Sequence, residues 1–157
     1  GGDWATDRLV PDFLSALETG EVLIIRSPEA TRPWQHVLEP LSGYLRLAEK
    51  LVTSGTQFAE AWNFGPNIGD SRRVTEVLDY LCAKRPEVSW IAEGLQQPYE
   101  APSLQLSSVK ANEMLGWSPR WSLETALDMT LAWFTHWKEG MDMHQVSLAQ
   151  IKSFAAS

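Results

Sequence analysis

The chain has 157 residues, 44% hydrophobic and 21% charged, enough for a core of ordinary globular proportions. Its formal net charge is -7, with Lys and Arg scattered rather than clustered. That balance argues against a nucleic-acid partner, which needs a basic face to displace counterions. The longest aliphatic run, Val22-Leu23-Ile24-Ile25, is too short to cross a bilayer, so no membrane partner is expected, and no signal-peptide pattern opens the chain.

Leu9, Val10, Phe13, Leu14 and Leu17 recur at helical spacing, and Gly20 stops that helix. Residues 22–26 make a short strand, Pro28 a turn, and residues 34–37 a second strand. Pro40 fits the first turn of the next helix, whose apolar face is Leu41, Tyr44, Leu45, Ala48, Leu51 and Val52. Residues 61–64 read as a strand ended by Gly65-Pro66-Asn67. Val74, Val77, Leu78, Leu81 and Cys82 form the cleanest helical stripe. Further short strands are expected at 88–91 and 104–106, on either side of a polar, Pro-rich loop over 94–102. Ser107 or Ser108 caps a short helix ending near Leu115-Gly116, and Ser122 caps a long one lined by Leu127, Leu131 and Phe134. The tail 141–157 is expected to be weakly helical at best. Helices alternating with short strands indicate an α/β (α+β-like) fold with a small mixed sheet, a single domain over 1–157.

The one cysteine, Cys82, excludes an intramolecular disulfide, fits a reducing cytoplasm, and falls on the apolar side of its helix. His36 follows Trp34 at alternate strand positions, which predicts a buried, hydrogen-bonded imidazole. His136 and His144 lack metal-ligand spacing, so no metal is expected. Tyr80 and Lys84 stand four apart on a helix, as an acid–base pair would, but any helix places such residues on one side, and we read them as structural. Trp117, Trp121, Trp133 and Trp137, in or beside the last long helix, suggest core packing or an interface.

Several blocks, in order, resemble the carboxyl-terminal part of extended short-chain dehydrogenase/reductases acting on nucleotide sugars. They are Gly2-Asp3-Trp4, Leu9-Val10-Pro11, residues 22–26, Arg32-Pro33-Trp34-Gln35-His36-Val37, Trp62-Asn63-Phe64-Gly65-Pro66 and Leu115-Gly116-Trp117-Ser118-Pro119. The Trp-rich versions, with Asp7-Arg8-Leu9-Val10-Pro11-Asp12 and Pro119-Arg120-Trp121-Ser122, resemble the CDP-glucose 4,6-dehydratases, and the likeness runs to about residue 140. It implies an enzyme that uses NAD for an internal redox cycle: oxidation of the sugar at C4, loss of water across C5 and C6, and return of the hydride to C6. The product is CDP-4-keto-6-deoxyglucose. The glycine-rich loop and the Tyr/Lys pair needed for this belong to an amino-terminal cofactor domain outside this sequence. The chain alone is therefore expected to be inactive, with no cofactor of its own.

The resemblance also implies site residues. Arg32 contacts the substrate diphosphate, for which guanidinium geometry is suited; the alternative is a surface Arg pairing with Glu29 or Glu39. Arg26 assists or is simply solvated. The strand carrying Ile24 reads the pyrimidine through its backbone, and Leu9, Val10 and Pro11 wall the base, although an ordinary helix start explains them equally well. Tyr99 could stack on the base, and Glu100 could accept from ribose hydroxyls or the cytosine amino group, or be a solvated loop acid. An unpaired strand edge at residues 62–64, or the Trp-rich helix, predicts a homo-oligomer. Two alternatives to a CDP-sugar site stay open: a UDP- or dTDP-sugar dehydratase or epimerase, and a binding or assembly module without catalysis.

Overall fold

In the computed structural model, which describes residues 4–5, 7–94 and 101–157, six α-helices carry most of the fold and each of the four strands has only three residues. The chain divides into two units, one made of Gly1–Arg32 with Arg72–Leu104, the other of Pro33–Ser71 with Gln105–Ser157.

The first unit opens with α1 (Leu9–Thr19), which buries Phe13, Leu14 and Ala16. It ends at Gly20, whose left-handed backbone (φ 74°) turns its N–H back to the Ala16 carbonyl. Strand β1 (Leu23–Ile25) runs parallel to β4 (Trp90–Ala92), with Leu23, Ile24 and Ile25 opposite Trp90, Ile91 and Ala92. Leu23 and Ile25 are buried, whereas Ile24 is 60% exposed. Helix α3 (Val74–Lys84) buries Val74, Val77, Leu78 and Leu81, as its stripe predicts. The second expected strand lies three residues early: β2 is Thr31–Pro33, paired with β3 (Ser71–Arg73). In place of a strand at 104–106, the Thr31 N–H donates to Pro102 and the Leu104 N–H to Thr31, around a single parallel bridge at Ser103. Cys82 is half-buried rather than core, and burial pushes its thiol pKa up. The Lys84 ammonium lies 5.1 Å from the Tyr80 ring centre, a cation–π contact along α3.

In the second unit, α2 (Leu38–Ser54) carries Pro40 in its first turn. Two short 3₁₀ turns, Thr56–Phe58 and Ile68–Asp70, flank an irregular stretch. Helices α4 (Val109–Leu115), α5 (Leu123–Lys138) and α6 (Met143–Ala156) follow. Phe64, Ala111, Leu115 and Trp117 form a buried cluster, with Leu47, Phe58 and Trp62 against it. The Phe64 ring meets Trp117 and Tyr44 edge-on, at 5.1 and 5.6 Å. It lies so close to α2 that a side chain at Gly43 would overlap it, which explains a glycine inside this helix.

Four expectations change here. Residues 61–64 form no strand; Phe64 is drawn into the core, so the unpaired edge proposed for self-association does not exist. The apolar face of α2 is largely exposed: Tyr44, Leu45 and Val52 are 57%, 74% and 87% accessible. Ser108 precedes α4 but does not cap it, because its hydroxyl accepts from the Gly65 N–H at 2.7 Å and donates to the Gly65 carbonyl at 3.1 Å. The tail is a well-formed helix, capped by the Asp142 carboxylate and anchored through Val146 and Phe154. Ser122 caps α5 as expected, accepting from the Thr125 N–H. Trp117 and Trp121 are buried and Trp133 half-buried, its indole N–H on Ser147, while Trp137 is exposed.

Candidate functional site

The sequence candidates that the structure describes all lie in the first unit. Leu9, Val10 and Pro11 form the half-buried first turn of α1. Arg26 stands one residue past the end of β1, and its Nη2 meets the Asp7 carboxylate at 3.0 Å. That contact lies between the end of β1 and the turn that precedes α1. Asp12 is held nearby, its N–H donating to the Arg8 carbonyl. Burial raises the Asp12 carboxyl above its ordinary pKa and the neighbouring Asp7 adds to this, with Arg26 among the groups that oppose it.

Arg32 is half-buried in β2, and its Nη1 donates to the carbonyls of Thr31 and Ala101, both at 2.9 Å. Glu29 takes Arg73 instead, at 3.1 Å, and Glu39 is buried in the second unit. Two carbonyls thus fix one end of a planar cation suited to phosphate. Ile24 projects from β1 into solvent. Tyr99 and Glu100 lie outside the described residues.

The quoted blocks from Pro33 onward lie in the second unit and do another job. Gln35 Nε2 donates to the Phe64 carbonyl at 2.8 Å. The His36 ring packs edge-on against Trp121 at 4.9 Å, and its Nδ1 accepts from the Leu38 N–H. Burial lowers its pKa to about 4, so the imidazole is neutral near pH 7, as a structural acceptor should be. Glu39, 1% exposed, accepts from the Arg120 N–H with both oxygens (3.0 and 3.1 Å) and from the Trp121 N–H at 2.8 Å. Burial pushes its carboxyl pKa up, against the pull of those amides. Ser42 accepts from the Trp117 indole N–H at 2.8 Å. Asp70 accepts from the Leu123 N–H at 3.1 Å. These side chains tie residues 35–42, 64, 70 and 117–123 together, mostly through backbone groups. Sequence reasoning missed these roles of Gln35, Glu39, Ser42 and Asp70, and nothing local marks the burial of Glu39 and Asp70.

Among the described residues no cluster of ligating side chains could hold a metal ion, and no helix is long and apolar enough to cross a membrane. No protein-family model matches the chain. The CDP-glucose 4,6-dehydratase of Salmonella typhimurium is 44% identical over all of this chain, which spans 44% of that protein's length. The dTDP-glucose 4,6-dehydratase of Escherichia coli is 25% identical over 85% of the chain, corresponding to 38% of that protein. A UDP-glucuronic acid 4-epimerase from Bacillus cereus, solved with UDP-glucuronic acid and NAD, shares the fold with a TM-score of 0.70 at 17% identity. That match covers 83% of this chain and 40% of the epimerase. In each case the chain spans less than half of its relative.

Proposed function

We propose that this chain, which belongs to the extended short-chain dehydrogenase/reductases, forms the nucleotide-sugar-binding portion of a CDP-glucose 4,6-dehydratase. The observation that carries the reading is 44% identity to such an enzyme along the whole chain. In this reading Arg32 binds the diphosphate, with its guanidinium held by the Thr31 and Ala101 carbonyls. Leu9, Val10 and Pro11 wall the pyrimidine, and the strand carrying Ile24 reads it through its backbone; Tyr99 and Glu100, outside the described residues, are the candidates for the base and ribose contacts.

The full-length enzyme would convert CDP-glucose to CDP-4-keto-6-deoxyglucose in the cytoplasm, as a homo-oligomer, with bound NAD accepting and returning the hydride. This chain's own residues do not fit NAD. Its sequence has no Gly-x-Gly-x-x-Gly run to admit a pyrophosphate, and Tyr80 and Lys84 engage each other rather than a shared substrate proton. No catalytic step therefore falls to these residues; their task is to bind and orient, and the chain alone binds without turnover.

Calorimetric titration with CDP, UDP and dTDP tests the reading. The expected result is preferential CDP binding that weakens about 10- to 100-fold in Arg32→Ala, the size of a lost charge-assisted phosphate contact. Absence of binding to all three nucleotides, or an Arg32→Ala variant that binds as wild type does, would overturn it.

A further inference from the structure

The corner where β1 meets α1 holds an arrangement that diphosphate binding leaves unused. Asp7 is the only non-glycine residue with positive φ among the described residues, at 62°. Its carboxylate meets Arg26 at 3.0 Å, yet the two side chains remain 69% and 46% exposed. A pair this open contributes little to stability, so a left-handed aspartate here has no evident structural return. With Asp12 close by, raised in pKa partly by Asp7, the corner holds two carboxylates and one guanidinium. Such a surplus of negative charge suits a diphosphate poorly.

It suits a base edge well. Side by side, a carboxylate oxygen and a guanidinium present one acceptor followed by donors. The pairing edge of cytosine offers the complement: the N4 amino group donates, while N3 and O2 accept. Uracil and thymine offer O4 as acceptor and N3–H as donor, so the carboxylate would face an oxygen and the guanidinium a hydrogen. Two of three positions then repel. The pair also lies beside the apolar first turn of α1, which would cover the flat faces of such a base.

We propose that Asp7 and Arg26 together read the pyrimidine and select cytosine over uracil, making Asp7 a specificity residue and moving Arg26 from the diphosphate to the base. This rests on the nucleotide-binding reading of the first unit given above. The full chain, Asp7→Gly, Arg26→Met and Arg32→Ala are titrated calorimetrically with CDP and with UDP. Glycine accommodates the left-handed backbone at position 7 while removing the carboxylate. Each change in the pair should weaken CDP about tenfold and UDP less than twofold, the scale of a lost two-point base contact. If Arg32→Ala weakens both nucleotides while Asp7→Gly and Arg26→Met alter both equally or neither, selection by this pair is refuted and the nucleotide site stands. If the wild-type chain binds neither CDP nor UDP, both readings fall.

Discussion

Exposed ion pairs occur in both units of this chain, but the buried carboxylates among the described residues, Glu39 and Asp70, both lie in the second. In the second, Gln35, Glu39, Asp70 and Ser108 turn inward and bond to backbone groups distant in sequence, so each satisfies amides or carbonyls that would otherwise be left unpaired. In the first, charged side chains mostly meet one another at the surface: Arg26 with Asp7, Arg73 with Glu29 and Glu76, Arg85 with Glu87. A buried acceptor of backbone N–H groups is expensive to remove because its donors cannot find water, whereas an exposed ion pair exchanges partners with solvent at little cost. The difference separates a unit whose buried polar residues specify architecture from one whose ion pairs stay mostly at the surface.

Substitutions can break or sharpen that contrast. The largest effect is expected for Glu39→Ala, which strips the Arg120 and Trp121 amides of their acceptor. Urea unfolding should show a loss of about 3 kcal/mol, and a loss under 1 kcal/mol would mean that water replaces the carboxylate. His36 tests the same unit through pH. Its folded pKa of about 4 lies below the ordinary 6.5, so below pH 6.5 the unfolded chain takes up a proton that the folded one refuses. The stability from neutral His36 is therefore complete above pH 6.5 and is lost as pH falls toward 4, on the order of 2 kcal/mol. Glu39, shifted upward, opposes this trend, so the readout is the difference between wild type and His36→Phe, which keeps a ring against Trp121. Equal pH slopes for the two proteins would refute the assignment.

Ser108→Ala removes two bonds to Gly65 at a half-buried site and should lower stability by about 1 kcal/mol in the same assay. At the small end, Asp7→Gly should change the unfolding free energy by no more than about 0.5 kcal/mol while changing nucleotide selectivity. A large loss of stability there would make Asp7 architectural and erase the contrast between the units.

Helices were the legible part of the sequence. The stripes of α1 and α3, the Pro40 start of α2 and the Ser122 cap all act through neighbours within a few residues, and each is found. Strand position was less legible, because pairing depends on partners far along the chain. Trp62 and Phe64 are β-forming side chains, but Gln35 takes the Phe64 carbonyl and Ser108 takes both backbone groups of Gly65. The tail hid its helix because its apolar residues form no single stripe and only Val146 and Phe154 are buried, which with the Asp142 cap suffice to hold it. Of the candidate site, Arg32 and the first turn of α1 were singled out from the sequence. The Arg26–Asp7 contact was not, since nineteen positions separate the partners and only the turn into α1 brings them together.

The start of α5 has a kinetic consequence. The amides of Arg120, Trp121 and Leu123 bond to carboxylates 81, 82 and 53 residues earlier in the chain. Closing loops of that length is slow relative to forming any single helix, so these bonds can complete only after α2 and the turn at Ile68–Asp70 have arrived. In a pulse-labelled refolding experiment these three amides should gain protection from hydrogen exchange late, well after those in the middle of α5. Once formed, they should be among the slowest to exchange, which makes a short stretch of backbone the reporter for assembly of the whole second unit.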